Sequence, residues 1–391
     1  MKMRALHAHR VRGFQKISRA FKGRVPIRYD FVLLGTVGIL LFFGLIALSS
    51  ATSIISFQQT GQSYYYFQQQ LLHGLLPGII LFFIAQRIDF HLYKKFAPFF
   101  LITTFLLLIV VLIPGVAITN ASAKSWIPFF GASLQTSEIA KLTFVIWLSA
   151  WLSDQSRKGV RPGKTMFILL VVLGSMALLL QLQPDIGMLL IYGALALVLY
   201  IVSGARIRDI LLLGFIVVAA ASVFILTSPY RRDRVITFLK PQHDVKGSGY
   251  QVNQALIALG SGSWFGVGVG KSRQKFYFLP EIESDSIFAI IGEEGGFFIS
   301  LGLLTLYTML FIRGSRIAAK APDPFSSLMA TGIIYMITLQ VIVNIGAMVG
   351  LLPLTGIPLP FISLGGTNLI VLLLATGILM NISRSANRLY A

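Results

Sequence analysis

The sequence predicts an all-α integral membrane protein with ten transmembrane helices and one large loop between the seventh and eighth helices. Of its 391 residues, 55% are hydrophobic and only 12% are charged, and the mean hydropathy is +0.79. In a soluble domain about a quarter of the residues are charged. Apolar runs of roughly 20 residues, the length of a helix that crosses a bilayer, recur along the whole chain.

The ten spans follow from these apolar runs and from the residues that interrupt them. The fifth and sixth spans are separated at Gln183, Pro184 and Asp185, because proline removes a backbone donor and breaks a helix. The first run is too long for a signal peptide, so we expect no cleaved leader. The expected spans are 31–54, 68–86, 97–117, 137–153, 165–183, 186–203, 208–227, 286–312, 326–350 and 365–382.

The distribution of lysine and arginine predicts the orientation of these spans. The termini and alternate loops on one side hold 23 of the 33 basic residues, whereas the short loops on the other side hold only Lys124. The positive-inside rule therefore places both termini in the cytoplasm. Because topology accounts for most of the net charge of +19, we do not expect nucleic-acid binding. The expected regions are a basic cytoplasmic tail at 1–30, a membrane domain at 31–382 with a large extracytoplasmic loop at 228–285, and a short cytoplasmic C-terminus at 383–391.

The loop 228–285 departs from this charge pattern. It faces outside, yet it carries eight basic residues, among them Arg231, Arg234 and Lys275. Long loops are translocated largely regardless of charge, so topology permits these residues without requiring them. A polyanionic ligand at the outer surface is one cause that would explain them.

Asp285, at the junction between this loop and the eighth span, is the clearest candidate for chemistry. Glu281, Glu283 and Asp285 alternate, so their side chains point to one side of an extended chain. Neighbouring like charges raise the pKa of a carboxyl group, which suits a general base. The alternative is structural, since Ser284 or Asp285 would also cap the eighth helix.

Two further pairs of ionisable residues lie within predicted spans. Glu138 and Lys141 are three residues apart and share a helix face, which predicts either a structural ion pair or a polar wall for substrate or metal. At least one of Glu293 and Glu294 is expected to face the bundle interior, with a role in helix packing or in pairing with Lys141 or Arg231.

Two glycine-rich runs need separate interpretations. The run 260–272 is not a nucleotide-binding loop, because Phe265 occupies a position at which that motif requires glycine. The run 351–366 has three prolines and is expected to line a cavity, where irregular backbone is tolerated. The chain has no cysteine and no HExxH motif, so a zinc site is not expected; a hard cation held by carboxylates and phosphate stays open.

Several motifs occur in an order that resembles the SEDS family of shape, elongation, division and sporulation proteins, which includes FtsW, RodA and SpoVE. The resemblance covers nearly everything after residue 30. Thr136 and Ser286 depart from the family pattern, and the ending 381–384 is closer to FtsW than to RodA. The residues that carry the resemblance are Gln135 to Lys141, Gln183 to Gly187, Arg231, Arg234, Val235, Phe238, Gly249 to Ala255, Pro280 to Glu294, Asn344 to Gly346 and Pro358 to Gly366.

This resemblance implies a peptidoglycan glycosyltransferase that polymerises lipid II and releases undecaprenyl pyrophosphate. It implies that the aspartate at position 285 is essential, and it gives a class B penicillin-binding protein and other division proteins as partners. A divalent cation, Mg²⁺ or Mn²⁺, is a further candidate, which would bridge the oxygens of the leaving pyrophosphate. The expected substrate-binding residues are Arg231, Arg234, Lys275, Glu138, Lys141, Gln251 and Glu281.

The expected location is the bacterial cytoplasmic membrane, at the division septum. Two other functions stay open from the sequence. Broken helices and intramembrane charge also suit a lipid II flippase. A non-catalytic scaffold that recruits a transpeptidase would use the basic tail and the outer loop for docking.

Overall fold

Helices make up most of the chain in the computed structural model, which describes residues 29–118, 125–129, 132–158, 162–227, 229–239, 248–276 and 278–389. Nearly all of the basic tail predicted at 1–30 lies outside these residues. The helices are α1 (Phe31–Thr60), α2 (Tyr65–Gln70), α3 (Leu76–Arg87), α4 (Phe90–Lys95), α5 (Ala97–Val110), α6 (Thr136–Lys158), α7 (Pro162–Leu182), α8 (Ile186–Val202), α9 (Ile207–Leu226), α10 (Pro229–Leu239), α11 (Ser248–Ser261), α12 (Ile287–Ala319), α13 (Pro324–Met348) and α14 (Gly366–Leu389).

Two other elements complete the described fold. A single π-turn, Leu71–Leu75, joins α2 to α3 within one continuous helical segment. An antiparallel hairpin of β1 (Trp126–Phe129) and β2 (Ala132–Gln135) leads directly into α6, with Trp126 opposite Gln135.

Each of the ten predicted spans contains a helix in the described chain. Seven helical segments are long and apolar enough to cross a bilayer, and α5 and α8 are shorter apolar helices. The remaining span is α6, whose apolar face is interrupted by Glu138 and Lys141. The fold is that of a helical membrane protein, as predicted.

The helix boundaries differ from the predicted ones in two places. Helix α5 ends at Val110 instead of 117, because Pro114 cannot continue a helix and Gly115 has a φ of 83°. Helix α14 continues past 382 to Leu389, into the predicted C-terminal tail. Hydropathy marks where hydrocarbon ends, whereas a helix continues for as long as its residues favour helix.

The predicted loop 228–285 is structured in its described parts. It contains α10 and α11, and the chain then turns repeatedly before α12 begins. This segment, the β-hairpin and the 349–365 connection lie at one end of the bundle, here called the loop end. The irregular backbone at the loop end is packed against protein, as burial of Leu354, Ile357 and Phe361 shows.

Helix α6 lies at the centre of the bundle. Most of its side chains from Thr136 to Leu152 are buried, and it packs against α5, α8, α13 and α14. Helices α13 and α14 are also mostly buried, whereas α9 exposes large apolar side chains such as Phe215 and Leu226. These three helices therefore form the interior of the bundle, and the outer ones present apolar surface to lipid.

A break in α12 at Gly296 shapes the loop end. Gly296 has φ 70° and ψ −169°, and the residues on both sides of it are joined to the loop by backbone bonds, from Val267 N to Glu293 O (2.9 Å) and from Phe297 N to Ser263 O (2.9 Å). A Cβ atom at Gly296 would lie 2.7 Å from the carbonyl carbon of Phe265. Only glycine accepts both this φ and this approach.

We expect Gly296→Ala to destabilise the protein by at least about 1–3 kcal/mol, because the left-handed backbone and the contact with the loop both oppose a methyl group. The measurement is the thermal unfolding midpoint of the purified chain in detergent. Gly302→Ala is the matched control, since Gly302 lies on the same helix and its added Cβ would have nothing within 4 Å. Equal midpoints for the two variants would contradict this account of the break.

Candidate active site

A cavity of about 920 Å³ opens among the elements of the loop end. Its walls come from α2 and the π-turn, the β-hairpin, the start of α8, helix α10, the segment before α12, the 353–358 connection and the start of α14. Of the eight residues expected at the site, five line this cavity. They are Arg231, Arg234, Gln251, Glu281 and Asp285.

Asp285 lies in the cavity wall and does not cap α12. The residue at the N-cap position is Ser286, which makes no side-chain capping bond, so the expectation of a capping role for Ser284 or Asp285 is wrong. The Asp285 side chain is only 6% exposed. Its carboxylate is therefore held in the cavity wall without a structural role in the helix end.

Two amide side chains fix the position of Asp285. Gln251 Nε2 donates to the Asp285 carboxylate (3.3 Å) and to Ser286 Oγ (2.9 Å). Asn344 Nδ2 donates to the main-chain oxygen of Asp285 (2.8 Å) and to that of Ile357 (2.8 Å). Gln251 therefore contacts the carboxylate itself, and Asn344 ties Asp285 to the opposite connection. Both residues preorganise the carboxylate.

The environment of Asp285 suits a base that works near neutral pH. Burial raises the pKa of Asp285 to about 7, the charge of Glu281 adds to this, and Arg234 partly offsets it. Relative to the ordinary value of 3.8, ionising this group in the folded protein costs about 4 kcal/mol more. A carboxyl group with this pKa accepts a proton readily at physiological pH.

The three alternating acids do not share one face as an extended chain would. Residues 279–285 form turns, in which the main-chain nitrogens of Ser284 and Ser286 both donate to the Glu281 carbonyl. Glu281 and Asp285 line the cavity, whereas Glu283 does not. Burial, with the charge of Glu281, raises the pKa of Glu283 as well.

Arg231 and Arg234 line the cavity from α10, where a spacing of three places them on one helix face. Arg231 lies over the Phe224 ring, 3.8 Å from its centroid, and donates to the Phe224 carbonyl (3.0 Å). Arg234 Nη1 donates to the Leu354 carbonyl (3.0 Å). Among the described lining residues these are the only arginines or lysines, so they supply the cavity's fixed positive charge.

Lys275 was expected at the site, but the structure places it elsewhere. Its side chain is 3% exposed and its Nζ pairs with Glu294 at 3.0 Å. Glu294 also accepts from Ser50, and Glu293 accepts from the main-chain nitrogen of Arg273 (2.9 Å). The expected pairing of these glutamates with Lys141 or Arg231 is therefore wrong. Lys275 belongs to a buried network that holds the loop against α1 and α12.

Glu138 and Lys141 form an ion pair that lies outside the cavity lining. Both side chains are fully buried, and Lys141 Nζ lies 2.8 Å from Glu138 Oε2. Gln340 Nε2 donates to the other Glu138 oxygen at 3.3 Å. Of the two interpretations left open by the sequence, this geometry favours the structural ion pair.

Several cavity residues were not among the candidates. Asp185, whose carboxylate caps α8 through Met188 N (3.1 Å), lies where the fifth and sixth spans were expected to break. The others come from three separate segments and carry no local motif, so only the fold brings them together. These additional lining residues include Tyr65, Tyr66, His73, Trp126 and Asn368.

The described residues do not form a preformed metal site. No group of three or more His, Asp or Glu side chains within the described ranges is placed to hold an ion. The acids of the cavity, Asp185, Glu281 and Asp285, are thus not gathered around one point. A cation that is also held by phosphate oxygens of a substrate needs only one or two carboxylates, so the expected divalent cation stays a prediction.

Comparisons with known proteins agree with one another. The family model described as a cell cycle protein, FtsW/RodA/SpoVE, matches residues 31–388. Stage V sporulation protein E of Bacillus subtilis is 38% identical over 356 residues, which cover 91% of this chain and 97% of that protein. The probable peptidoglycan glycosyltransferase FtsW of Geobacter metallireducens is 36% identical over 362 residues, covering 91% and 95%.

Solved structures have the same fold. One neighbour is a chain from a study of how a peptidoglycan synthase complex coordinates polymerization and crosslinking. Its TM-score is 0.75 and its identity 25%, with 92% of this chain and 98% of that chain covered. The rod shape determining protein RodA of Thermus thermophilus has a TM-score of 0.67 and 24% identity, with coverages of 92% and 97%.

Proposed function

This chain belongs to the FtsW/RodA/SpoVE family, and from that premise we propose that it is a peptidoglycan glycosyltransferase that polymerises lipid II. The observation that carries the proposal is the position of Asp285. Its buried carboxylate, with a pKa raised to about 7, lines the same cavity as two arginines at the loop end of a membrane bundle. The names of the curated relatives support the same reaction class.

In the proposed reaction, Asp285 takes the proton from the 4-hydroxyl of the acceptor sugar. The hydroxyl oxygen forms a bond to the anomeric carbon of the donor as the bond from that carbon to the pyrophosphate breaks. The electron pair of the broken bond leaves with undecaprenyl pyrophosphate, and Asp285 later releases its proton to solvent. Gln251 and Asn344 hold the base during this sequence.

Arg231 and Arg234 are proposed to bind the pyrophosphate, whose negative charge grows as the bond breaks. Arginine suits this role because its planar guanidinium presents several donors to phosphate oxygens and remains charged. The main-chain bonds from Arg231 to Phe224 and from Arg234 to Leu354 hold both side chains in place. No step is assigned to a cation; a divalent ion held jointly by the pyrophosphate and a carboxylate of the cavity stays a prediction.

The proposed setting follows from topology and from the relatives. The excess of lysine and arginine in the termini and alternate loops supports an orientation with the loop end at the outer face of the cytoplasmic membrane. There the lipid tail of the substrate lies in the bilayer and its head reaches the cavity. A septal role in division, with a class B penicillin-binding protein as partner, is supported by the FtsW relatives and by the likeness to a peptidoglycan synthase chain.

The test is polymerisation by the purified chain with lipid II supplied in detergent. A glycosyltransferase converts the substrate to glycan strands without a membrane, whereas a flippase or a scaffold makes no product. The buried, closed pair of Glu138 and Lys141 does not favour a transport path. Absence of glycan from correctly folded protein, with and without its transpeptidase partner, would refute the proposal.

The pH dependence of this activity should follow the ionisation of Asp285. Since only the ionised carboxylate accepts a proton, kcat/KM should rise with pH to about 7 and then level off. Glu281→Gln removes a charge that raises this pKa, so the acid limb should move to lower pH. A pH profile of the two proteins checks this, and an unmoved limb in the variant would contradict the assignment of the base.

A further inference from the structure

The cavity has two walls of different chemistry. The arginine wall consists of Arg231 and Arg234 on α10. A second group of lining residues, here called the aromatic–amide wall, has no lysine, arginine, aspartate or glutamate among its members. It consists of Tyr65, Tyr66, His73, Trp126 and Asn368.

Direct contacts assemble the aromatic–amide wall. The π-turn abuts the start of α14, where a Cβ on Gly366 would lie 2.8 Å from the His73 carbonyl oxygen. The hairpin joins the same place, since Gln135 N donates to Thr367 Oγ1 at 3.0 Å and Trp126 pairs with Gln135. The wall is therefore one continuous surface, although its members come from three distant parts of the sequence.

Both tyrosines contact polar side chains near the mouth of the cavity, where Tyr65 is 36% exposed. Their rings are T-shaped, with centroids 5.6 Å apart. Gln69 Nε2 donates to the Tyr65 hydroxyl at 3.1 Å, and the Tyr66 hydroxyl donates to Gln59. Aromatic side chains at a membrane surface usually face lipid, but these two line the cavity. Fixed aromatic rings in a cavity offer apolar contact area at low cost in conformational entropy.

The wall also contains buried polar atoms that lack a partner. His73 Nδ1 and Asn368 Oδ1 are both buried and have no hydrogen-bond partner among the described residues. Asn368 is only 4% exposed. A buried unpaired acceptor costs free energy, so such atoms in a cavity point to a ligand or water that completes them. His73 lies on a π-turn, a feature that occurs frequently at functional sites.

We propose that the aromatic–amide wall is a saccharide subsite that binds an N-acetylhexosamine ring. This inference rests on the proposed function and adds where the sugar binds. A pyranose ring is neutral and has an apolar face that packs on aromatic rings. Its hydroxyl and acetamide N–H groups donate to acceptors such as Asn368 Oδ1. The pyrophosphate would contact the arginine wall instead, because guanidinium groups bind phosphate oxygens more strongly than neutral donors do.

The subsite is placed to present a hydroxyl to the base. Gln70 Nε2 on α2 donates to the Ser363 carbonyl at 3.2 Å, and the Ser363 hydroxyl donates to the carbonyl of Ser284. Ser284 immediately precedes Asp285. A sugar on the aromatic–amide wall therefore lies beside the segment that carries the carboxylate, which is the position required of the acceptor.

The test uses the N-acetylglucosamine tetramer as a soluble probe, which contains the ring but neither pyrophosphate nor lipid. Binding to the purified full chain in detergent is measured by saturation-transfer NMR and titration. We expect Tyr65→Ala and Asn368→Leu each to weaken binding about tenfold, whereas Tyr65→Phe retains it because the ring remains. Tyr64→Ala is the matched control, since Tyr64 is 59% exposed and does not line the cavity.

The outcomes of this test separate the subsite from the reaction. Asp285→Asn should bind the tetramer like the wild type, so loss of polymerisation does not imply loss of the subsite. Wild-type binding by Tyr65→Ala and Asn368→Leu would overturn the proposal, as would no binding by the wild type at millimolar tetramer. If the wild-type chain binds the tetramer as expected but makes no glycan, the subsite is supported and the proposed reaction is refuted.

Discussion

Replacing Asp285 with asparagine is expected to lower the rate of lipid II polymerisation by about 10²-fold or more. Asparagine keeps the shape of the side chain but accepts no proton, and a positioned general base contributes roughly 10² to 10⁴ in rate. The measurement is glycan formation by purified protein at saturating lipid II. A variant that polymerises at the wild-type rate would show that Asp285 is not the base.

The Asp285→Asn variant should lose polymerisation activity while it keeps its fold. Gln251 Nε2 still has an oxygen to donate to in Asp285→Asn, and the Asn344 bond goes to the main chain. The pKa of Asp285 is higher in the folded state than in the unfolded state, so the protonated carboxyl group favours folding. This contribution to stability is complete below about pH 4 and is lost as the pH rises to about 7. The variant should therefore unfold at a temperature equal to or above that of the wild type at pH 8.

Asp233→Asn provides the matched control for this substitution. Asp233 is exposed on α10, between the two arginines in sequence, and does not line the cavity. The same chemical change at this position should leave polymerisation unchanged. A comparable loss in Asp233→Asn would mean that the assay reports total charge in the loop and not the chemistry of one carboxylate.

The site residues that could be predicted lie in one stretch of the sequence. Arg231, Arg234 and Asp285 are polar residues in a segment flanked by apolar spans, and the resemblance to a family adds to that signal. Charge alone could not place Lys275, because a lysine near a cavity and a lysine paired with a buried glutamate look alike in sequence. Its position depends on the contact between the loop and α12, which sequence periodicity does not reveal.

The aromatic–amide wall was beyond prediction for a different reason. Its residues lie on α2, the π-turn, the hairpin and α14, and each has an ordinary explanation in its own segment. Tyr65 resembles an interfacial aromatic residue, and Asn368 resembles a polar residue near a helix start. Only packing of α14 against the π-turn places them in one surface. Helix spans follow from hydropathy, whereas a cavity assembled from distant segments follows from tertiary contacts.

The buried pair of Glu138 and Lys141 should produce the largest change in stability. Lys141→Met leaves the fully buried Glu138 carboxylate, in the first turn of α6, without its cation and with Gln340 as its remaining described side-chain donor. Removing one partner of a buried ion pair costs about 3–5 kcal/mol, because the other charge remains uncompensated. The measurement is the unfolding midpoint of purified protein in detergent, where we expect a decrease of several degrees or failure to accumulate in the membrane.

The double variant Glu138→Gln/Lys141→Met separates the two interpretations of this pair. If the pair is structural, removing both charges restores most of the stability, because replacement of a buried pair by neutral groups is often close to neutral. Polymerisation should then recover as well, since neither side chain lines the cavity. A double variant that is stable but makes no glycan would show that the charges act on the substrate, and the pair would have to be counted with Asp285 in the catalytic machinery.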